Sequence, residues 1–214
     1  MISLIHPSRG RALQAYRTAV KWIQQSGVPV EHILSLDRDD LISTYMKMFP
    51  VGNKGRVIIN PNTCVVEATN KAAEVAHGDL IVYLSDDFDC FENWGVKLNE
   101  IASKYQGEYL IKVHDGLQTF ENSVLTIPIM SKALYQRLGY FFHPSYKSMW
   151  VDVDLFEVCR RMDVIKYHKE ILFQHNHYSN SNGKVKKDET YQRSDANWNQ
   201  GKETLRMRRR ANFK

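Results

Sequence analysis

The stretch "NTCVVEATNKAAEVAHGDLIVYLSDDFDCF", residues 62–91, decides the fold. Its first part places apolar residues on one broad helical face, with an Asn or Thr cap at its start and Gly78 as its stop. Its second part, Asp79–Leu84, is a continuous apolar strand, which is typical of the covered interior of a parallel sheet. The stretch therefore predicts a helix, a buried strand and then a turn with three aspartates: Asp86, Asp87 and Asp89.

The residues before this stretch alternate between strand and helix patterns. Apolar runs predict strands at Ile2–His6, His32–Leu36 and Arg56–Asn60, and helical periodicity predicts helices at Arg11–Gln25 and Asp40–Phe49. Such a series predicts an α/β fold with right-handed crossovers and helices on both faces of a mostly parallel sheet.

The second half of the chain is less regular. Its pattern predicts helices at Asn93–Tyr105, from Ser131 to a stop at Gly139, and within Met149–Met162, and strands at Tyr109–Val113, Ser123–Met130 and Glu170–His177. Residues 178–214 are polar and read as a loop with a surface helix or tail. We expect a single domain over residues 1–177 followed by this tail.

Composition narrows the class of protein. No run approaches the ~18 apolar residues that span a bilayer, and the first residues do not form a signal peptide, so we expect a cytoplasmic protein with no membrane partner. The formal net charge is +5, and four arginines crowd into "LRMRRR" (Leu205–Arg210). Such a cluster is either a solvated helix face or a contact for phosphates.

Polar residues follow the predicted strands. They lie at residues 6–11, 37–40, 60–62 and 85–89. Because ligands bind beyond the carboxyl ends of strands in open α/β sheets, we expect these four segments to line one cleft.

The acidic turn suits a metal ion. Three carboxylates within four residues repel one another, and Mg²⁺ or Mn²⁺ prefers oxygen ligands, with Mg²⁺ taking one or two carboxylates and leaving other positions to phosphates. The alternative is an acidic loop that caps the helix starting near Asn93.

Three segments together resemble glycosyltransferases of the GT-A fold, especially the family 2 type. They are "ISLIHPSRGR", "NTCVVEATNKAAEVAHGDLIVYLSDDFDCF" and "WVDVDLFEVCRR", and the resemblance covers residues 1–177 in order. It implies a Rossmann-like GT-A domain with a nucleotide-sugar half at about residues 1–92 and an acceptor half at about residues 93–177.

The resemblance implies roles for individual residues. In the first part of the chain, the positions that it assigns to the nucleotide-sugar donor are His6, Pro7, Ser8, Arg9 and Arg11, with Asp37 recognising the base and Asn70 and Lys71 near the diphosphate. Asp87 and Asp89 correspond to the D-x-D pair that holds Mn²⁺ or Mg²⁺ between protein and diphosphate, so Asp87 also contacts the donor. Asp86 is expected at the ribose or the sugar.

The segment "WVDVDL" is similar to one whose second acid is the general base of inverting members. This places the base at Asp152, although Val151 stands where the family has an acid, and Asp154 is the second candidate. The alternative is that both aspartates are favourable acids at a helix N-terminus.

Two histidines end the last predicted strand. His175 and His177 fall on the same side of a strand, and the resemblance implies that a downstream histidine completes the metal site. The alternative is a structural histidine. The following loop carries Lys184, Lys186 and Lys187 and is a candidate lid.

The function predicted from the sequence is therefore hexosyl or pentosyl transfer from a nucleoside diphosphate sugar to a hydroxyl. The arginine cluster favours DNA with a hydroxymethylated pyrimidine as one acceptor, reached by base extrusion, and a glycan or a small molecule is the alternative. A second interpretation is a nucleotidyltransferase, but the first turn lacks the Gly-rich loop of such enzymes. A third is a basic nucleic-acid-binding module without enzymatic activity.

Overall fold

The computed structural model describes residues 1–40, 54–116, 124–180 and 185–214. Within them, seven strands form a central sheet: β1 (Ile2–Ser8), β2 (Val30–Asp37), β3 (Gly55–Asn60), β4 (Leu80–Tyr83), β6 (Leu110–His114), β7 (Ile129–Ser131) and β8 (Ile165–Ile171). A small second sheet pairs β5 (Phe88–Cys90) with β9 (Phe173–His175). The helices are α1 (Ala12–Gln24), α2 (Val65–Glu74), α3 (Trp94–Ala102), α4 (Lys132–Leu138), α5 (Val151–Arg161), α6 (Glu189–Asp195) and α7 (Trp198–Arg210).

The central sheet is mostly parallel, as predicted. Its order is β3-β2-β1-β4-β7-β6-β8, and only β7 runs antiparallel to its neighbours. The chain moves outward from β1 to β2 and β3 on one side and then returns to β4 on the other. The boundary between β1 and β4 is thus a switch point, where ligands bind in folds of this kind.

The alternation of apolar side chains explains why helices cover both faces of the sheet. Ile5 and Ile81 join a buried cluster that includes Val66 of α2, while Leu4 belongs to the cluster on the opposite face, which includes Trp22 of α1. All five side chains are at most 1% exposed. Because neighbouring strand residues point to opposite faces, an apolar run such as Ile2–Ile5 requires a covering layer on each side.

The helix α2 ends earlier than the sequence predicts. It stops at Glu74, four residues before Gly78, so Gly78 is not its C-terminal stop. Gly78 has another purpose, because a Cβ there would lie 2.6 Å from the backbone nitrogen of Ser3. The amide of Gly78 instead donates to Ser3 Oγ at 2.8 Å. The glycine permits the close approach of the α2–β4 connection to β1.

Two predicted strands of the second half are wrong in extent. Of Ser123–Met130, the described part is strand only from Ile129, and Pro128 has no N–H to donate to a ladder. The predicted strand Glu170–His177 divides at Leu172, with β8 on the edge of the central sheet and β9 pairing with β5. The predicted helix Asp40–Phe49 lies outside the described residues, apart from Asp40.

The segment after residue 184 contributes buried side chains. Tyr191 of α6 and Leu205 and Arg208 of α7 are each 7% exposed or less. Close contact with the start of α5 occurs at Gly201, where a Cβ would lie 2.2 Å from the carbonyl oxygen of Met149. Among the described helices, none has both the length and the apolar character required to cross a membrane.

Candidate active site

The β1–β4 switch point gathers residues from distant parts of the chain. Its floor is the end of β1 and the Ser85–Asp87 turn after β4, and these two segments are joined by Asp86. The end of β9 and the beginning of α6 contact Asp87, and the start of α5 lies near them. The predicted convergence of strand ends is therefore present.

Asp86 fixes the acidic turn to β1 and α1. Its Oδ1 accepts from His6 Nε2 at 2.9 Å and its Oδ2 accepts from Ser8 Oγ at 3.0 Å. Its backbone oxygen accepts from Thr18 at 2.8 Å and from Gln14 at 3.1 Å. Both carboxylate oxygens are therefore engaged within the protein, and the predicted contact of Asp86 with ribose or sugar stays a prediction.

A second histidine lies behind His6. His6 Nδ1 and His32 Nε2 share a hydrogen bond of 3.1 Å, and both rings are buried. Burial, aided by His6, lowers the pKa of His32 well below its ordinary value, so this ring is neutral. The Asp86–His6–His32 chain thus links the acidic turn to β2.

Asp87 has a different environment on each of its oxygens. Its Oδ2 accepts from Tyr191 Oη at 2.7 Å and from His175 Nε2 at 3.2 Å. Its Oδ1 is buried and has no hydrogen-bond donor among the described residues. Burial opposes ionisation, but the hydrogen bond and charge of His175 and the hydrogen bond of Tyr191 hold the pKa of Asp87 well below its usual range. The carboxylate is ionised at neutral pH.

Asp89 has a separate set of partners. Its carboxylate pairs with Lys21 of α1 and accepts from the amide of Cys90 at 2.8 Å. In the described parts of the chain, no three His, Cys, Asp or Glu side chains come together in a group that could hold a metal ion. The structure does not form a closed metal site from Asp87, Asp89 and the two histidines.

The residues present nevertheless fit a divalent cation that is shared with a ligand. Mg²⁺ binds through one or two carboxylates and completes its coordination with water and phosphate oxygens. An ionised, buried carboxylate oxygen that lacks a donor, Asp87 Oδ1, is the kind of atom that such an ion satisfies. His177, the other predicted histidine ligand, has different partners: its Nδ1 hydrogen-bonds to Ser179 and its ring packs against Tyr191.

Arg11 and the start of α6 hold each other. The Arg11 guanidinium donates to both oxygens of Asp188, each at 2.7 Å, and lies 4.2 Å from the ring centre of Tyr191. Thr190 Oγ1 donates to the backbone oxygen of Arg9 at 3.1 Å. The sequence-based reasoning missed Asp188 and Tyr191, because they lie in a segment that reads as a polar tail. The one local signal is Asp188 as a helix cap, which accepts from Tyr191 N at 3.1 Å.

The predicted base-recognition residue is buried and linked to both neighbouring turns. Asp37 accepts from Arg9 Nη1 at 2.8 Å and from Asn62 Nδ2 at 3.0 Å. Arg9 also pairs with Asp39, while Pro7 remains within β1 opposite Ser35 of β2. Arg9 and Asn62 therefore hold the Asp37 carboxylate at the end of β2, with one donor on each oxygen.

Asn70 and Lys71 make contacts that differ from the predicted role near a diphosphate. Asn70 Oδ1 accepts from the amides of Phe141 and Phe142, and Asn70 Nδ2 donates to the Phe142 oxygen at 2.8 Å. Lys71 is exposed and pairs with Glu74 one turn along α2. In this structure Asn70 fastens the segment after α4 to α2, which is a structural role.

The two candidate bases occupy distinct surroundings in the first turn of α5. Asp154 is 1% exposed and accepts from Tyr146 Oη at 2.9 Å and Arg208 Nε at 2.6 Å. Arg208 balances its charge and Tyr146 adds a hydrogen bond, so the structure favours a structural role for Asp154. Burial raises the pKa of Asp152 to about 6, although backbone amides and the charges of Lys112 and His175 oppose this.

Tyr83 senses the charge of both Asp152 and the acidic turn. Burial raises the pKa of this tyrosine, and the negative charges of Asp87, Asp86 and Asp152 raise it further. The three carboxylates therefore lie within electrostatic reach of Tyr83 at the end of β4. The site therefore joins an ionised buried carboxylate to a second carboxylate with a raised pKa.

Comparison with solved structures finds a similar fold in known proteins. The structure of S. aureus TarS 1–349 in complex with UDP-GlcNAc matches 89% of this chain with a TM-score of 0.62 and 11% identity. The mannosyltransferase PcManGT from Pyrobaculum calidifontis, in complex with GDP-Man and Mn²⁺, matches 92% with a TM-score of 0.62 and 10% identity.

The chain has the GT-A glycosyltransferase fold. It spans about 60% of TarS 1–349 and 69% of PcManGT. No protein-family model and no curated protein matches the sequence. The GT-A fold confirms the predicted fold class, and at this level of identity the likeness extends to the fold alone.

Proposed function

We propose that this chain is a metal-dependent glycosyltransferase that moves a sugar from a nucleoside diphosphate sugar to an acceptor hydroxyl. The observation that carries the proposal is that Asp87 and Asp152 both lie at the switch point of one GT-A fold. Asp87 has an ionised carboxylate whose Oδ1 lacks a donor among the described residues, and Asp152 has a pKa raised to about 6. The neighbours' complexes with UDP-GlcNAc and GDP-Man support a nucleotide sugar as the donor.

Asp87 is the proposed metal ligand of the chain, through Oδ1. A divalent cation bound there supplies positive charge that stabilises the departing nucleoside diphosphate. Mn²⁺ and Mg²⁺ both accept oxygen ligands, and the Mn²⁺ in the PcManGT complex supports such an ion. Asp89, held by Lys21, and His175, bonded to Asp87, are additional candidate ligands that would have to leave these partners.

Asp152 is the proposed general base. An acceptor hydroxyl attacks an anomeric carbon more readily when a carboxylate takes its proton, and a pKa of about 6 makes Asp152 a stronger base than an ordinary aspartate while leaving it ionised at neutral pH. The similarity of "WVDVDL" to the segment that carries the general base of inverting members supports attack opposite the leaving group, and hence inversion. Arg9 and Asp37 are proposed to bind the nucleoside.

The acceptor carries the hydroxyl that receives the sugar. The structure gives no support to DNA as this acceptor. Three of the four arginines in 205–210 are paired within the chain: Arg206 with Glu203, Arg208 with Asp154 and Arg209 with Glu157. Their charge is therefore largely neutralised. The arginine cluster was the main reason for the DNA hypothesis, so we propose a glycan or small-molecule acceptor instead.

The experiment is a donor-hydrolysis assay in which water replaces the acceptor. UDP-GlcNAc and GDP-Man are incubated with the protein and Mn²⁺, and released nucleoside diphosphate is measured. We expect chelation to abolish release, and Asp87→Asn, which removes the metal ligand, to act in the same direction. Asp152→Asn should reduce release about 10²- to 10⁴-fold, the usual range for loss of an acid–base group. Asp154→Glu, which keeps the charge beside Arg208, serves as the control and should retain release whenever it folds. Full activity in Asp152→Asn would contradict the assignment of the base.

A further inference from the structure

Asp87 is held from one side only. Tyr191 and His175 both donate to its Oδ2, at 2.7 Å and 3.2 Å, whereas Oδ1 has no donor in the described part of the chain. A carboxylate that is free to rotate can exchange its two oxygens. With two donors on Oδ2 the exchange is restrained, and Oδ1 is kept as the oxygen that is open to another partner.

The hydroxyl of Tyr191 is itself fixed by its surroundings. The ring lies under the guanidinium of Arg11 at 4.2 Å and contacts the rings of His177 and Tyr178, each at 4.8 Å between centres. Asp188 then closes the arrangement, because it binds Arg11 through two hydrogen bonds and accepts from the amide of Tyr191. Tyr191 is 7% exposed. Its side chain thus reaches Asp87 in a preset orientation.

We propose that Tyr191 is a positioning residue of the metal and donor site. By donating to Oδ2, its hydroxyl orients the Asp87 carboxylate so that Oδ1 is presented to the metal ion. Groups that hydrogen-bond to metal ligands fix the ligand's orientation, and their loss typically weakens metal binding by about 10- to 100-fold. The inference rests on the proposed function, and it makes helix α6 a part of the site although it follows the acidic turn by about a hundred residues.

The hydroxyl, and not the ring, carries this role. The contacts of Tyr191 with Arg11, His177 and Tyr178 are ring contacts that phenylalanine retains, while the bond to Asp87 requires the oxygen. Tyr191→Phe therefore separates positioning from packing. Tyr178→Phe is a matched control, because the Tyr178 ring packs against Tyr191 while its hydroxyl donates to Asp195 at 3.1 Å.

The test measures Mn²⁺ binding to the full chain by electron paramagnetic resonance of the free ion, without nucleotide and with UDP or GDP. Circular dichroism first establishes that each variant is folded. We expect Tyr191→Phe to weaken Mn²⁺ affinity about 10- to 100-fold in the presence of UDP or GDP, and Tyr178→Phe to leave it within about twofold of the unchanged protein. The far-ultraviolet spectrum and the cooperativity of thermal unfolding should be the same in the three proteins, which a general loss of structure would not allow.

The outcomes distinguish this inference from the proposed function. If the unchanged protein binds Mn²⁺ with UDP or GDP, and Tyr191→Phe binds Mn²⁺ equally well, the positioning role is overturned while the proposed function stands. Equal weakening by Tyr191→Phe and Tyr178→Phe also overturns it, because the effect then comes from the aromatic cluster. If the unchanged protein binds neither UDP nor GDP with Mn²⁺, the proposed function and the inference are overturned together.

Discussion

Asp152 and Asp154 lie two residues apart in the first turn of α5, yet their partners give them opposite properties. Asp154 is enclosed and paired with Arg208 and Tyr146, whereas Asp152 is only partly buried and has a raised pKa. The sequence placed both acids at a helix start and left their roles open. Only the structure separates them, because the distinguishing partner, Arg208, is 54 residues away along the chain.

The pKa of Asp152 predicts the pH dependence of turnover. Because the pKa is raised to about 6, the basic form is present above pH 6 and is lost as the pH falls through 6. We expect the rate of nucleotide-sugar hydrolysis to fall about tenfold per pH unit below 6 and to be level from about pH 7. The measurement is kcat between pH 4.5 and 8 with a saturating donor. A rate that is level down to pH 5 would exclude Asp152 as the base.

The pairing of Arg208 with Asp154 predicts a large effect on stability. Arg208→Met keeps an unbranched apolar stem but leaves Asp154 buried without its cation, a change that typically costs about 3–5 kcal/mol of unfolding free energy. Arg206→Met is the control, since Arg206 pairs with Glu203 on the exposed face of the same helix, and it should not shift the midpoint of urea unfolding. Equal midpoints for the two variants would show that the buried ion pair is not required.

Among the elements, those of the first half were predicted well for a physical reason. β1, β2 and β4 are buried on both faces and α1 has a regular apolar face, so local patterns report tertiary burial directly. The shortened β7 and the division between β8 and β9 carry no such pattern. Their limits are set by pairing partners elsewhere, such as β5 for β9.

The docking of α7 on α5 depends on Gly201. Gly201→Ala should strengthen an isolated helix by about 1 kcal/mol. In this structure the added Cβ would lie 2.2 Å from the Met149 oxygen, so we expect a loss of about 1–3 kcal/mol in unfolding free energy. Denaturant unfolding measures the sign of the change. Lys202→Ala, on the exposed side of the same turn, is the control and should be neutral or slightly stabilising. If Gly201→Ala stabilised the protein, α7 would not be packed against α5 in this way.

On the scale of the whole molecule, the site is assembled from both ends of the sequence. The acidic turn was recognised from its residues, but its partner Tyr191 was not, because a hydrogen bond across 104 residues leaves no local trace. The same holds for Arg11 and Asp188, which are 177 residues apart. The sequence could therefore predict which strand ends converge, but not which side chains of the C-terminal segment reach them.

The central claim is that this GT-A fold binds a nucleoside diphosphate together with a divalent metal at Asp87. Thermal unfolding in the presence of UDP or GDP, with Mn²⁺ or with EDTA, tests it most directly, since a ligand that binds only the folded protein raises Tm. We predict that one of the two diphosphates raises Tm by several degrees with Mn²⁺, that EDTA or Asp87→Asn removes the shift, and that the corresponding triphosphate gives a smaller one. No shift with either diphosphate, or the same shift in EDTA and in Asp87→Asn, would contradict the account.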